Sequence, residues 1–205
     1  RFGCVLMILK FQLLIKRIFD IVICSVVMVL GFPPLILLAL LVKISSKGPI
    51  FFIQVRVGRN EKPYKIIKFR TMSGAPEQNA THWTKSEEDR ITSVGRFMRD
   101  YGLDELPQLL NIIKGDMSIV GPRSPLPQQV ATFAPRLKKM FDMRPGVLSL
   151  AVIAGRRNLT MNERYELHVQ YVEKWSLKLD LKILWQSLFV VLRREAASET
   201  QWGDK

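Results

Sequence analysis

The feature of this sequence that most restricts its fold is a 22-residue apolar run, from Ile21 to Val42, that carries no formal charge. As an α-helix with a rise of about 1.5 Å per residue the run covers roughly 33 Å, enough to cross the hydrocarbon core of a bilayer. A removable signal peptide has a shorter apolar core and a small-residue cleavage site, and the residues that follow Val42 show no such site. The sequence therefore predicts a membrane segment that the protein retains.

The apolar run is interrupted in its middle by residues 31–34, Gly-Phe-Pro-Pro. A proline inside a helix removes a backbone hydrogen bond and crowds the preceding turn, so a sharp kink or a break is expected there. Basic residues flank the run on both sides, at Lys10, Lys16, Arg17, Lys43 and Lys47. The positive-inside rule then gives the segment no preferred orientation. These residues leave open a kinked spanning helix and a re-entrant hairpin broken at Pro33 and Pro34.

The chain as a whole is strongly basic, with 31 Lys+Arg against 18 Asp+Glu and a formal net charge of +13. A surplus of this size predicts a polyanionic partner, such as phosphate carried by a nucleotide, a lipid headgroup or a nucleic acid. The two cysteines, Cys4 and Cys24, both lie in apolar N-terminal sequence. A disulfide framework and a cysteine-based zinc site are therefore excluded.

A β-hairpin is predicted after the apolar run. Alternating side chains over residues 51–57 and a second run over 64–72 flank a turn rich in Gly, Asn and Pro. Lys68 and Arg70 are two positions apart on the second strand, so we expect them on one face. They are either a solvated edge that discourages aggregation or part of a phosphate-binding site. A short amphipathic helix that carries Arg99 is predicted next.

The stretch LDELPQLLNIIKGDMSIVGPRSP predicts a helix with one buried stripe, formed by Leu106, Leu109, Leu110 and Ile113. Gly115 is expected to end this helix, and Pro107 is acceptable only in its first turn. Asp104 and Glu105 therefore fall at the predicted helix N-terminus. Two interpretations remain open: an N-cap aspartate with a dipole-compensating glutamate, or a carboxylate pair that acts on a neighbouring phosphoryl group.

Arginines beside glycine and proline form a third group, because rigid turns suit bidentate contact with phosphate oxygens. They are Arg123, Arg144, Arg156 and Arg157. Residues 162–194 are predicted to form two helices, the second apolar from Leu177 to Leu192 with interleaved lysines. That helix fits either a membrane interface or a protein core.

These motifs occur in an order that strongly resembles the bacterial sugar transferases, the monotopic phosphoglycosyl transferases, from about Lys16 to Leu192. The resemblance rests on KRIFDI, the proline-broken run, GPIFFIQVRVGR, KIIKFRTM, LDELPQLLNIIKGDMSIVGPRSP and YVEKWSLKLDLKIL. It implies an α+β, mainly helical fold with two parts. Residues 1–47 would be a re-entrant membrane helix, and residues 48–205 a membrane-associated catalytic domain with a short β-hairpin and interfacial amphipathic helices.

The resemblance also implies an activity, namely transfer of a phosphosugar from a UDP-sugar to polyprenyl phosphate with release of UMP. Asp104 is implied as the nucleophile and as a ligand of Mg²⁺, and Glu105 as its assistant. The implied phosphate-binding residues are Lys68, Arg70, Arg99, Arg123 and Arg156. The implied location is the cytoplasmic face of a bacterial inner membrane, with membrane lipid as a partner, no nucleic acid, and a homo-oligomer left open.

Two places differ from the usual pattern of that family, residues 148–154 and His168, where an aspartate is common. Both concern the predicted sugar-nucleotide pocket more than the reaction. Two other classes of function are consistent with the charge and the apolar run: a membrane-tethered basic module that binds anionic lipid or nucleic acid, and a structural membrane adaptor. Neither accounts for a carboxylate pair and turn arginines in this order.

Overall fold

The computed structural model describes residues 2–74, 89–154 and 159–192, and side chains from Met7 to Val190 within those ranges. The predicted phosphate-binding Arg156 lies outside the described residues, as does Arg157. The described helices are α1 Phe2–Leu30, α2 Phe32–Ser45, α3 Ser93–Asp100, α4 Gln108–Lys114, α5 Pro127–Val130, α6 Leu150–Ile153, α7 Met161–Glu173 and α8 Leu177–Leu192. The described strands are β1 Phe51–Val57, β2 Pro63–Phe69, β3 Ser118–Val120 and β4 Gly146–Leu148. The prediction of a mainly helical α+β chain is confirmed.

The two N-terminal helices meet at the predicted break. Helix α2 begins at Phe32, so both prolines lie in its first turn, where a missing N–H costs nothing. A side chain at Gly31 would lie 2.6 Å from the carbonyl oxygen of Val27, so the corner requires glycine. Taken one at a time, the described helices are too short or too polar to cross a membrane, whereas Met7–Leu30 and Phe32–Ser45, bent by 68°, pass together on length and composition.

Helix α1 is longer than the apolar run predicted, because it begins at Phe2 rather than near Ile21. The apolar run shows only where charged residues are absent. Lysine and arginine have good helix propensity, so the helix can extend through the basic residues before Ile21. Many large apolar side chains of α1 and α2 are exposed, and Val29 and Leu30 beside the corner are 74% and 75% exposed. Cys24, Leu38 and Val42 are buried on the opposite side.

The predicted hairpin is present. Strands β1 and β2 pair antiparallel from Phe51 opposite Phe69 to Val57 opposite Pro63. The side chain of Phe69 packs with Leu38 and Val42 of α2 and with Met98 of α3. This cluster joins the bent helix pair to the hairpin.

Helix α4 shows one correction. Its end at Gly115, with φ of 105°, agrees with the prediction. Its beginning does not, because Asp104 and Glu105 lie in a separate 3₁₀ turn, Leu103–Glu105, and α4 starts at Gln108. Pro107 has no N–H to join the regular pattern, so a tighter turn precedes the helix.

A second small sheet was not predicted. Strands β3 and β4 pair in parallel, with Ser118 opposite Gly146 and Val120 opposite Leu148. A side chain on Gly121 would overlap the carbonyl oxygen of Arg144, so the two segments approach closely. This sheet holds the segment that leads to Arg123.

The two predicted C-terminal helices are α7 and α8. One face of helix α8 is buried, as in the core interpretation, and its other face is apolar and exposed, so the membrane-interface interpretation stays a prediction. The buried side chains are Asp180, Ile183 and Ser187. The exposed ones are Leu181, Trp185, Leu188 and Phe189, at 42–65%.

Candidate active site

The centre of the candidate site is the Leu103–Glu105 turn. Helix α3 ends just before it, and Gly102 makes the connection with φ of 67°, a backbone conformation that favours glycine. The amide of Gly102 donates to the carbonyl of Arg99, and the amide of Glu105 donates to the carbonyl of Gly102. These bonds present Asp104 and Glu105 side by side at the end of α3.

Glu105 is held by two cations from different parts of the chain. The Nζ of Lys68, on β2, donates to Glu105 Oε1 over 2.8 Å. The Nη2 of Arg123, beyond β3, lies 3.7 Å from the same oxygen. Lys68 and Glu105 keep 17% and 15% of their side-chain surface and Arg123 keeps 33%, so the cluster is open on one side. The structure therefore brings together four predicted site residues: Asp104, Glu105, Lys68 and Arg123.

Arg99 lies on the last turn of α3, directly before the carboxylate turn. Its Nε donates to the hydroxyl of Thr71 over 2.8 Å, so the end of β2 fixes its position. A side chain at Gly95 would overlap the backbone of Thr71, which shows how closely α3 approaches that segment. Arg99 thus belongs to the wall of the site.

Arg70 is placed differently from the prediction. Lys68 contacts Glu105, but Arg70 is 8% exposed and donates from Nη2 to the carbonyl of Ser46 over 2.6 Å. Strand β2 ends at Phe69, so the expectation of a shared strand face does not extend to Arg70. In the structure this arginine joins the end of α2 to the hairpin.

Arg144, one of the predicted turn arginines, caps a helix. Its Nε donates to the carbonyl of Gly115 over 2.9 Å, while Arg17 of α1 donates to the carbonyls of Ile112 and Ile113. The last turn of α4 therefore has cations at its negative end. Burial, together with the positive charges of Arg17 and Arg59, lowers the pKa of Arg144.

Comparison with known proteins identifies the family of the chain. Residues 11–194 match the family described as bacterial sugar transferase. The chain belongs to that family. A sugar transferase of Bacillus subtilis, EpsL, is 35% identical over 188 residues, with 92% of each chain covered. A UDP-glucose:undecaprenyl-phosphate glucose-1-phosphate transferase of Caulobacter vibrioides is 36% identical over 89% of this chain and 71% of its own length.

Some relatives are much longer than this sugar transferase. The protein of Escherichia coli that carries the same name as the Caulobacter one is 36% identical over 90% of this chain, but the match covers 41% of its length. The family match over residues 11–194 contains every residue of the site described above.

Arg123 of the sugar transferase has a second neighbourhood on the side away from Glu105. The Tyr64 hydroxyl donates to Ser124 Oγ over 2.8 Å, and Arg56 donates to the Ser124 carbonyl over 3.1 Å. His168 is 3% exposed. Burial first, then the charges of Arg123 and Arg164, lower its pKa to about 3. The imidazole is therefore neutral at physiological pH and adds no charge beside Arg123.

Sequence reasoning missed a polar network on the opposite side of β3. Lys16 and Asp20 are buried, although the sequence pattern places Lys16 in a basic membrane flank. Lys16 Nζ contacts Asp180 Oδ2 at 2.7 Å, and Asp20 Oδ1 accepts the amide of Ile119 at 3.1 Å. The sequence did carry a signal for this network, because Asp20 and Asp180 each lie within an apolar helix. A carboxylate is costly to bury without a partner, so each of them predicts one.

Proposed function

We propose that the chain is a polyprenyl-phosphate phosphosugar transferase, which moves a phosphosugar from a UDP-sugar to polyprenyl phosphate and releases UMP. Its membership of the bacterial sugar transferase family supports this assignment. So do the names of relatives that act on UDP-glucose and undecaprenyl phosphate. The identity of the sugar is left to experiment.

The observation that carries the proposal is the pair of adjacent carboxylates at the Leu103–Glu105 turn, one of them engaged by Lys68 and Arg123. Glu105 is fixed by these two cations, so its oxygens suit the task of orienting groups near Asp104. In the proposed site these two cations would neutralise the charge of the UDP-sugar diphosphate, which is the main requirement of phosphoryl transfer. Asp104 is thereby the candidate nucleophile.

The proposed reaction has two steps at one phosphorus atom. An oxygen of Asp104 attacks the sugar-proximal phosphorus of the UDP-sugar, and the bond from that phosphorus to the bridging oxygen breaks. UMP leaves with the bonding electron pair, and an aspartyl phosphosugar remains. A phosphate oxygen of the polyprenyl phosphate then attacks the same phosphorus. The bond to Asp104 breaks, the carboxylate is regenerated, and the lipid diphosphosugar is released.

Magnesium fits this site as a partner shared with the substrate. Within the described ranges, no group of three or more His, Cys, Asp or Glu side chains is arranged to hold a metal alone. Mg²⁺ is commonly bound by one or two carboxylates together with substrate phosphates, and Asp104 and Glu105 supply such oxygens. When bound, the cation would neutralise charge on the diphosphate.

The bent helix pair supports a re-entrant arrangement at the cytoplasmic face of a bacterial inner membrane. The exposed apolar side chains of α1 and α2 would face lipid, and the 68° corner would return the chain to the side it came from. A water-soluble nucleotide sugar and a lipid acceptor must meet at a membrane surface. This topology brings the lipid-facing helices and the carboxylate turn together in one small protein.

The assay that tests the function offers a panel of UDP-sugars with undecaprenyl phosphate and Mg²⁺ to the detergent-solubilised protein. We expect UMP release with at least one sugar, because the phosphorus and not the anomeric carbon is attacked. Release of UDP would instead indicate glycosyl transfer and contradict the proposal. With UDP-sugar alone, intact-protein mass spectrometry should show a phosphosugar adduct, and peptide mass spectrometry should locate it on the peptide that contains Asp104.

Topology is tested separately by labelling single cysteines in cells. Lys10→Cys and Lys47→Cys, in a chain whose Cys4 and Cys24 are replaced, change exposed positions on either side of the corner. Both are expected to react from the cytoplasmic side only. Labelling of one of them from the opposite side alone would show that the segment spans the membrane. Replacing Pro33 and Pro34 by leucine should favour that spanning form.

A further inference from the structure

Strand β3 is too short to be stable by its own pairing. It contains three residues, and it pairs with β4, which also contains three. A two-stranded sheet of this size is marginal in water, so its position must be fixed by other contacts. Those contacts come from α1.

Two side chains of helix α1 hold the backbone of β3. Lys16 Nζ donates to the carbonyl of Val120 over 2.9 Å, and Asp20 Oδ1 accepts the amide of Ile119 over 3.1 Å. Lys16 and Asp20 are one helical turn apart, so one face of α1 contacts the backbone of two adjacent residues of β3. Val120 itself is 1% exposed.

Lys16 is fixed in turn by Asp180 of α8. The pair is 2.7 Å apart, and each side chain keeps 9% of its surface. The second carboxylate oxygen of Asp180 accepts the hydroxyl of Tyr171 over 2.6 Å, and the indole of Trp175 donates to Oδ2 over 3.1 Å. Burial and the neighbouring Asp180 carboxylate raise the pKa of Tyr171, so its hydroxyl stays protonated and able to donate.

Strand β3 leads directly to Arg123 of the candidate site. Arg123 is three residues after Val120, and Gly121 and Pro122 between them are closely packed. The amide of Gly121 donates to the carbonyl of Leu148, and the carbonyl of Pro122 accepts the amide of Gly146. Arg123 Nη2 lies 3.7 Å from Glu105 Oε1, so the position of this backbone segment determines how the guanidinium meets the carboxylate.

We infer that Lys16, together with Asp180, is a positioning residue for Arg123, acting through the backbone of β3. This inference rests on the proposed function for its catalytic consequence, but its structural part is independent of it. The buried pair is therefore expected to affect substrate binding although it touches no substrate.

The test separates positioning from folding by removing both charges at once. Lys16→Met alone leaves a buried unpaired carboxylate, whereas Lys16→Met with Asp180→Asn keeps the shape and one of the two acceptor oxygens without any charge. We expect the double variant to unfold within about 4 °C of the parent protein. We also expect amide hydrogen exchange in residues 118–124 to be about tenfold faster, because the Val120 carbonyl loses its hydrogen bond from Lys16 and keeps only the longer one, of 3.2 Å, from the Tyr171 hydroxyl.

Kinetics supply the second readout, with the UDP-sugar found active in the UMP assay. The double variant should show a KM for that UDP-sugar raised about tenfold and a kcat changed less than about threefold, as expected when a phosphate-binding group is displaced. The matched control is Lys139→Met with Glu173→Gln, which removes an ion pair of 2.9 Å on the exposed surface. This control should change neither amide hydrogen exchange in residues 118–124 nor the KM for the UDP-sugar.

Tyr171→Phe provides a variant without any change of charge, and it should accelerate exchange in residues 118–124 about threefold. The inference is overturned if the folded double variant and Tyr171→Phe both retain the parent exchange rate there. It is also overturned if exchange rises while KM for an accepted UDP-sugar stays unchanged. Amide exchange in residues 118–124 that is faster in the variants, together with a parent protein that releases UMP from none of the UDP-sugars, would support the role of Lys16 in holding β3. The same result would contradict the proposed function.

Discussion

Two lysine–carboxylate pairs of nearly equal length lie in different surroundings in this protein. Lys68 and Glu105 are 2.8 Å apart and keep 15–17% of their side-chain surface, with Arg123 nearby. Lys16 and Asp180 are 2.7 Å apart and keep 9%, with their other hydrogen bonds taken by Val120, Tyr171 and Trp175. The comparison teaches that distance alone does not identify a functional ion pair. What differs is whether the surroundings leave access for a ligand.

The largest expected effect lies at the accessible pair. Asp104→Asn removes the proposed nucleophile but keeps its shape, so we expect UMP release to fall by at least about 10⁴-fold. The melting temperature should stay within about 2 °C of the parent protein, since the turn is open to solvent. Glu105→Gln is the matched control and should retain a small residual rate, because Glu105 only assists. Full activity of Asp104→Asn would contradict the assignment.

Replacing each of the two lysines by methionine tests the comparison directly. Lys16→Met should lower the free energy of unfolding by about 3–5 kcal/mol, because it leaves Asp180 buried and unpaired. Lys68→Met should lower it less, by about 2 kcal/mol or less, because Glu105 keeps 15% of its side-chain surface and Arg123 still lies 3.7 Å from it. Denaturant titration in detergent measures both.

Among variants that fold, we expect the opposite order for activity, with the larger loss in Lys68→Met. Lys68→Met is expected to reduce UMP release about 100-fold, since it removes a cation from the diphosphate site. If Lys68→Met unfolds the protein as readily as Lys16→Met does, the distinction between an open and a closed pair is wrong.

The smallest expected effect concerns His168, which the site keeps buried and neutral. Its pKa is about 3 in the folded protein and about 6.5 in the unfolded chain. Between these values the unfolded state binds the extra proton, so stability is complete above pH 6.5 and is lost as the pH falls toward 3. From pH 6.5 to pH 5 the loss should be about 1.5 kcal/mol, or about 3–6 °C in melting temperature.

His168→Gln serves as the control for this pH dependence, because glutamine does not titrate. The difference between the melting curves of the two proteins isolates the histidine from other groups. Parallel curves for parent and variant over this range would show that the imidazole is not held neutral.

The local part of the fold could be predicted from the sequence. Helices α7 and α8, the hairpin, the break before Pro33 and the end of α4 at Gly115 all follow from periodicity, proline and glycine. These signals act over a few residues, so one sequence is enough to interpret them. The carboxylate turn was located to within a residue or two, although its 3₁₀ conformation was missed.

The long-range part could not be predicted, because side-chain partners far apart in sequence leave no local pattern. Lys16 and Arg17 have the same pattern as a membrane flank whether or not they bind protein, and their acceptors lie 95 to 164 residues away. Arg70 was grouped with Lys68 by strand alternation, but the strand ends at Phe69. The parallel pairing of β3 and β4 was missed because each strand has only three residues.

The Lys16–Asp180 pair also has a consequence for the order of events during synthesis. Its two residues are 164 positions apart, so at about 5–20 residues per second Lys16 is made roughly 10–30 s before its partner. For that interval its ammonium group has no buried carboxylate to neutralise it and must remain hydrated. Under the proposed topology α1 reaches the membrane surface first, with Lys16 kept at the water boundary. The docking of α8 then removes this charge from water, so a nascent chain stopped before Asp180 should be recognisable by a Lys16 that amine-reactive reagents still modify.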